Sequence, residues 1–345
     1  MTAETQVTAQ SVDPERRIAG LTSGGWRCAA TAIAILVAVV LPWTLGSFQT
    51  FQITLVLFYA IAILGLNILT GFNGQFSLGH SAFFAIGAYT TAILVERYGV
   101  STYLTIPVAG GLGFAAGFLF GFPALRLSGL YLALATFALS VATPQLLKYN
   151  HFEDFTGGVQ GINLLKDSAP FDLPFSVDQW WYYVTLAITL FAFWMARNLI
   201  NSRTGRAIMA IRDNPIAAAT MGVNTALYKT LTFGVSALLT AVAGALSAIV
   251  VEYVAPDSFT FVLSVYFLIG LVIGGVGWIP GAVIGGAFVL YVPNLAEGIS
   301  TGLAGVLFGV IILLVIYLMP SGAAGLVRLG ITHLRRRLDR DNNKA

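Results

Sequence analysis

The stretch GQFSLGHS, Gly74 to Ser81, sets glycines, small hydroxyls and one imidazole within one residue of the phosphate-binding pattern G-x-x-x-x-G-K-[ST]. In that pattern a glycine-rich loop turns successive backbone N–H groups toward phosphates, and a lysine supplies a fixed positive charge. His80 stands where the lysine should be, and an imidazole is a poor substitute near neutral pH. The flanks argue the same way. A phosphate loop follows a strand, whereas FQITLVLFYAIAILGLNILT runs ahead of this stretch, about as long as one bilayer crossing at 1.5 Å per helical residue. Behind it SAFFAIGAYTTAILV is apolar again. A polar, glycine-rich break between two membrane-length segments therefore needs another explanation.

Glycine clusters a second time in GLVIGGVGWIPGAVIGGAF, Gly270 to Phe288. Glycine- or proline-interrupted apolar segments in two halves of a chain point to broken helices beside a substrate path; the competing reading is that small residues let helices pack closely. Packing is favoured for the second cluster. The first also carries Asn73, Gln75, Ser77 and His80, whose polar groups need partners or water at membrane depth, which favours a path. The candidate pathway residues are thus Gly71, Asn73, Gly74, Gln75, Ser77, Gly79 and His80, the glycines permitting the turn and the others supplying hydrogen bonds.

The elements that must hold this break are membrane helices. Of 345 residues 57% are hydrophobic and 10% charged, against about 25% charged in a soluble domain, and mean hydropathy is +0.83. Apolar runs predict helices near 28–46, 50–70, 80–96, 102–122, 128–148, 180–198, 229–252, 259–276, 281–296 and 303–319, an all-α polytopic bundle of about ten spans. Residues 1–27 read as a leader, 28–320 as one transmembrane domain and 321–345 as a basic tail. The first run, AATAIAILVAVVLPWTL, has no A-x-A-like cleavage site ahead of the next span and reads as a membrane helix rather than a removed signal. Lone Cys28 reads as a small apolar filler. The net charge of +3 reflects topology signals rather than a nucleic-acid surface. With the N-terminus inside, three basic residues of the leader, Arg126, five from Arg197 to Lys229 and six beyond residue 320 fall inside; only Arg97, Lys148 and Lys166 fall outside. Both termini are expected in the cytoplasm.

Ion-coupled carriers place carboxylates or lysines within their spans. From Ala29 to Val95 the only titratable side chains here are His80, Tyr59 and Tyr89, and Glu96, Glu252 and Asp257 fall at helix ends. Uphill transport would then need energy from a partner, since no intact phosphate loop occurs in the chain. The internal segment NSRTGRAIMAIRDNPIAAATMGVNTALYK offers a handle. Ile208, Ile211, Ile216 and Ala219 recur at helical spacing, with an interruption at Pro215. Arg203, Arg206, Arg212 and Asp213 suit charge-assisted bonds to another protein, and the small-residue run with Ala217, Ala218 and Gly222 suits a groove. A solvated loop whose arginines serve only topology fits the same spacing.

In order along the chain, GFNGQFSLGHSAFFAIGAYTTAIL, GLYLALATFALS, TGGVQGI, SRTGRAIMAIRDNPIAAATMGVN, PDSFTFVLSVYFLIGLVIGGVGWIPGAVIGGAF and PSGAAGLVRL resemble the motifs of LivM-type permeases, membrane subunits of bacterial ABC importers for branched-chain amino acids. The resemblance spans about residues 50 to 330. It implies a second, LivH-like permease subunit, two ATP-binding subunits that use ATP and Mg, an extracytoplasmic substrate-binding protein, and a location in the bacterial inner membrane among its lipids, with no cofactor or metal on this chain and no catalytic residue. It makes the segment Arg206 to Gly222 the coupling segment and puts the opening stretch at the interface with the sister permease. The outer segment from Asn150 to Gln179, too long for a mere connector and carrying Glu153, Asp154, Asp167, Asp172 and Asp178 against Lys148 and Lys166, is expected to receive the binding protein, with Glu153, Asp154, Thr156, Gly157 and Gly158 as candidate docking residues. Ala219 stands where many such permeases carry glutamate, and Val159 and Gln160 replace a small polar pair. The family also contains importers of urea, short amides and aromatic or other carboxylic acids. A stand-alone channel, or a membrane anchor without a path, are the readings from other classes.

Overall fold

The computed structural model describes residues 23–125, 127, 129–169, 175–299, 303–319 and 322–325. Leader residues 1–22, Arg126, Asp172 and the tail from 326 lie outside the described residues. Contacts divide the chain at Gly46. In the first unit α1 (Ser23–Thr44) carries Pro42 in its last turn, where the ring removes one N–H from the end of the helix ladder.

Everything else described belongs to the second unit. α2 (Ser47–Leu66) runs on into a π-helical turn, Asn67–Phe72, a wide turn found mostly as a local bulge at functional sites. α3 (His80–Tyr98) follows the polar break and ends on Gly99 in the left-handed region. α4 (Thr102–Ala124) and α5 (Leu130–Leu147) come next. The segment after α5 is folded rather than open: α6 (Asn150–Thr156) leads through a single 3₁₀ turn to β1 (Ile162–Asn163). α7 (Val177–Asn201) starts on a capping box, with Gln179 N–H donating to Ser176 Oγ and Ser176 N–H to Gln179 Oε1.

Two short helices follow, α8 (Arg203–Asp213) and α9 (Pro215–Thr220). Pro215 sits at the first position of α9 and Asn214 Oδ1 accepts from the N–H groups of Ile216 and Ala217, so one helix stops and another starts within two residues. α10 (Thr225–Val251) begins four residues before the apolar run does, because Asn224 Oδ1 accepts from Leu227 N–H and caps it. β2 (Tyr253–Val254) pairs antiparallel with β1, Ile162 opposite Val254. α11 (Phe261–Gly274), α12 (Gly281–Ile299) and α13 (Ala304–Leu318) close the order. The architecture is that of an all-α membrane protein with one two-residue ribbon. Among the described residues, five helices are long and apolar enough to cross a membrane: α2 with its π-turn, α4, α5, α7 and α10.

α2 and α10 form the centre, with 78% and 72% of their most apolar windows buried, against 39%, 33% and 33% for α4, α5 and α7. Since lipid is as apolar as leucine, packing depends on close backbone approach. Gly113, Gly117 and Gly121 recur every fourth residue along α4 and face α10: a Cβ on Gly121 would lie 2.9 Å from Thr230 Cγ2, and one on Gly117 would be 3.0 Å from the Phe233 carbonyl. The second glycine cluster packs in the same manner. Gly274 meets Gly281 and Gly270 meets Gly285 across the α11–α12 hairpin, while Gly286 rests on the Val56 carbonyl of α2.

Candidate functional site

The break between α2 and α3 is held by a hydrogen-bond network. Gln75 N–H donates to Leu69 O, Thr70 Oγ1 donates to Gln75 O, and Leu78 N–H reaches Thr136 Oγ1 of α5 at 2.9 Å. Gly79 N–H donates to Ser77 Oγ and Ser81 N–H to Ser264 Oγ of α11. Amides that a phosphate loop would aim at its ligand are therefore turned to the protein itself. His80 lies 1% exposed between two hydroxyls, with Nδ1 3.1 Å from Ser77 Oγ and Nε2 2.8 Å from Ser236 Oγ near the middle of α10. Ser236 Oγ donates to the Gly65 carbonyl at 2.7 Å, so it must accept from His80. The partners thus assign the Nε2–H tautomer, with Nδ1 accepting from Ser77.

The seven pathway candidates divide. Ser77, Gly79 and His80 are buried inside the chain, as are Asn73 and Gln75, which bond to each other at 2.6 Å; Gly74 and Phe76 are exposed. Asn73 Oδ1 is buried without a donor. The glycines do not act alike, and the expectation that all of them serve the turn needs correction. Only Gly74 takes positive φ, at +73°. Gly79 has φ −107° and is required for space, since a Cβ there would lie 2.8 Å from the Thr136 carbonyl. At Gly71 a Cβ would run into Asn67 Oδ1 and come within 2.7 Å of Gly277 N.

Asn67 opens the π-turn and is 1% exposed. Its Nδ2 donates to Trp278 O at 3.0 Å and its Oδ1 accepts from Gly277 N–H at 2.8 Å. One amide thereby ties the first glycine cluster to the second. From the other side Arg212, in the last turn of α8, donates from Nη1 to Gly71 O at 3.1 Å and from Nε and Nη2 to Asp213 Oδ1. Its Cγ lies where a Cβ on Gly74 would be 2.9 Å away. Arg212 is thus turned toward its own chain while keeping an exposed edge; Arg203 and Arg206 are exposed too, Arg206 donating from Nη1 to Asn201 O at 3.4 Å.

Ile208 and Ile211 of α8 are buried, but Ile216 is 78% exposed and Ala219 is exposed while Ala218 is buried. The interruption expected at Pro215 separates two short helices, and because Pro215 begins a new helix, Ile216 and Ala219 do not share the buried face of Ile208 and Ile211. With Met221 at 83%, the α9 tip presents two large apolar side chains beside the exposed Asp213, Ala217 and Gly222.

At β1–β2, the motif TGGVQGI turns on Gly157, Gly158 and Gly161, all at positive φ. Thr156 is buried, donating to the α5–α6 backbone and accepting from Gly158 N–H; it holds the turn and offers nothing outward. Several charges of this segment are engaged internally: Asp167 with Thr102, Lys166 with Asp178, and Lys148 with Asp257. Glu153 and Asp154 stay exposed. A cavity of about 260 Å³ opens between Arg97, Phe155 and Gly161.

Residues 48–316 match the family of permease components of branched-chain amino acid transport systems. The chain belongs to that family. The permease is 35% identical over 269 residues to the high-affinity branched-chain amino acid transport system permease protein LivM of Escherichia coli K12, covering 71% of this chain and 63% of the relative. It is 28% identical to a probable LivM of Methanocaldococcus jannaschii, over 64% of this chain and 67% of that one. LivH of Salmonella typhimurium is 25% identical over 77% of this chain and 91% of its own length. The permease thus spans under two thirds of the E. coli LivM it matches. No solved structure matches it. Family and fold together make it a multi-pass membrane protein. Sequence reasoning about the break missed Asn67, Thr136, Ser236 and Ser264; a buried asparagine at the end of an apolar run was the one signal available, since small hydroxyls in membrane helices commonly bond their own backbone.

Proposed function

We propose that this permease is one membrane subunit of an ATP-driven importer for branched-chain or related amino acids. It would work beside a LivH-like sister subunit, two ATP-binding subunits that hold ATP and Mg, and an extracytoplasmic binding protein, in the bacterial inner membrane with about ten spans and both termini cytoplasmic. The observation that carries the reading is the α8–α9 pair. A separate short helix exposes Ile216, with Met221 at its end, beside the exposed Arg203 and Arg206, a surface suited to a groove on a partner, and its neighbour α8 is bonded to the helix break through Arg212. Such a layout connects a partner's movement to the membrane core. In the break, Gly74 and Phe76 form the exposed side that meets the path at the sister interface, and Asn73, Gln75, His80, Ser77 and Gly79 hold it in shape. Glu153 and Asp154 are the part of the α6 segment offered to the binding protein.

The test is uptake of radiolabelled leucine into proteoliposomes holding the complex purified through this chain. ATP-dependent uptake requiring the binding protein is expected. Leucine equilibrating through the isolated chain without ATP would replace this reading with that of a facilitator; ATP-dependent uptake of a carboxylic acid or amide in place of leucine would move the substrate within the family.

A further inference from the structure

The strongest unexplained feature is a buried asparagine with both amide atoms committed to a turn more than two hundred residues away. The π-turn Asn67–Phe72 meets three things at once. Gly71 O receives Arg212 of α8. Asn67 grips Gly277 and Trp278. Gly71 itself is so tightly flanked that no side chain fits between Asn67 and Gly277. The gripped turn between α11 and α12 runs through Gly275 (φ +107°) and Gly277 (φ +75°), and on its other side Ala324 of PSGAAG packs within 2.7 Å of where a Cβ on Gly275 would be. Ala323 and Ala324 are buried there.

We infer that Arg212 and Asn67 form a rigid link through which displacement of α8 reaches the α11–α12 turn as well as the α2–α3 break. Both are positioning residues, acting through backbone groups rather than on a transported molecule. The inference rests on the permease reading and adds a route to it. A guanidinium holds a carbonyl at the end of the π-turn, where helix carbonyls lack intrahelical donors. A second set of two bonds, through one planar amide, then fixes that turn to Gly277 and Trp278. Neither contact stretches far before it breaks, so the three segments move together or separate. The glycines on both sides supply the backbone freedom for such a movement. Arg212 is thus assigned transmission, not docking: its fork is occupied by Gly71 O and Asp213, with Arg203 and Arg206 left to meet the partner.

The test uses the whole complex, with Cys28→Ser and spin labels at Thr220→Cys on α9 and Val283→Cys on α12, both exposed positions. Each label is measured against a fixed label on the ATPase subunit, with and without ATP and vanadate. In the parent complex both distances change with nucleotide. With Arg212→Gln the ATPase subunits stay bound and the α9 distance still changes, but the Val283 distance does not, and substrate moved per ATP hydrolysed falls about tenfold. Asn67→Ala gives the same pattern, the double variant is no worse than either single one, and Arg212→Lys, which still reaches one carbonyl, recovers part of the coupling. Arg206→Gln, by contrast, releases the ATPase. An unchanged Val283 response in Arg212→Gln overturns the link, as does release of the ATPase by that variant. Absence of any nucleotide response in the parent complex overturns the permease reading itself.

Discussion

Replacing His80 tests the directed chain of hydrogen bonds from Gly79 N–H through Ser77, His80 and Ser236 to Gly65 O. Each replacement cuts it in a different place. Asparagine places an acceptor where Nδ1 was and keeps Ser77 paired, at the loss of the Ser236 contact. Ser236 still donates to Gly65 O, so only an incoming donor is missing. Interhelical bonds of this kind average about 0.6 kcal/mol in membrane bundles, so His80→Asn should cost about 0.5–1 kcal/mol. Glutamine places a donor where Nε2 was and keeps Ser236, but it leaves the Ser77 hydroxyl, 1% exposed, without an acceptor. A stranded buried donor costs about 1–3 kcal/mol. Leucine does both, for about 2–4 kcal/mol. The expected order of destabilisation is Asn, then Gln, then Leu, measured by SDS-induced unfolding in mixed micelles followed by tryptophan fluorescence. Ser77→Ala also leaves Gly79 N–H without its acceptor, but the Ser77–His80 bond can be lost only once, so Ser77→Ala with His80→Gln should cost less than the sum of the two single losses. If the two losses simply add, or if His80→Leu unfolds with the parent, the assigned tautomer and its network are wrong.

Gly79→Ala should destabilise by about 1–3 kcal/mol through overpacking, and Thr136→Ala should not relieve it, because the group in the way is the Thr136 backbone carbonyl; relief in the same unfolding assay would move the clash to the side chain. At Gly74, φ is +73°, so Ala should cost about 1–2 kcal/mol and Asn less, because Asn visits the left-handed region more readily; equal stability of the two variants would remove backbone conformation as the reason for glycine. Glu153→Gln with Asp154→Asn should weaken association of the binding protein severalfold at low salt, at about 0.2–1 kcal/mol per exposed charge, and the difference from the parent should shrink at 0.5 M salt; a salt-independent difference would take the acidic face out of docking. Excising residues 153–166 from the same segment should instead prevent folding of that end, since it removes β1 and the Leu164 N–H bond to Glu252 O, read as loss of monodisperse protein.

Much of the architecture follows from the residues alone, because each signal is local. An apolar run long enough to cross a bilayer is a helix whatever surrounds it, and the runs expected at 102–122 and 128–148 appear as Thr102–Ala124 and Leu130–Leu147. Pro215 after Asn214 stops one helix and starts another by its own ring and its neighbour's side chain. The polar break at Gly74 to Ser81 was legible for the same reason, as was its failure to be a phosphate loop. What the break is made of was decided by the fold. Gly71 and Gly79 are glycines because Gly277 and the Thr136 carbonyl come against them, and neither constraint is written near them. His80 owes its tautomer to a serine 156 residues away, and Arg212 points inward because a carbonyl 141 residues earlier lies open at the end of a π-turn. A charge pattern gives the sign of a side chain but not its direction, and an arginine on a loop between spans reads the same whether it faces a partner or its own backbone. The direction depends on where α2 ends in space, which only the packing of α2 against α10 and the α11–α12 hairpin decides.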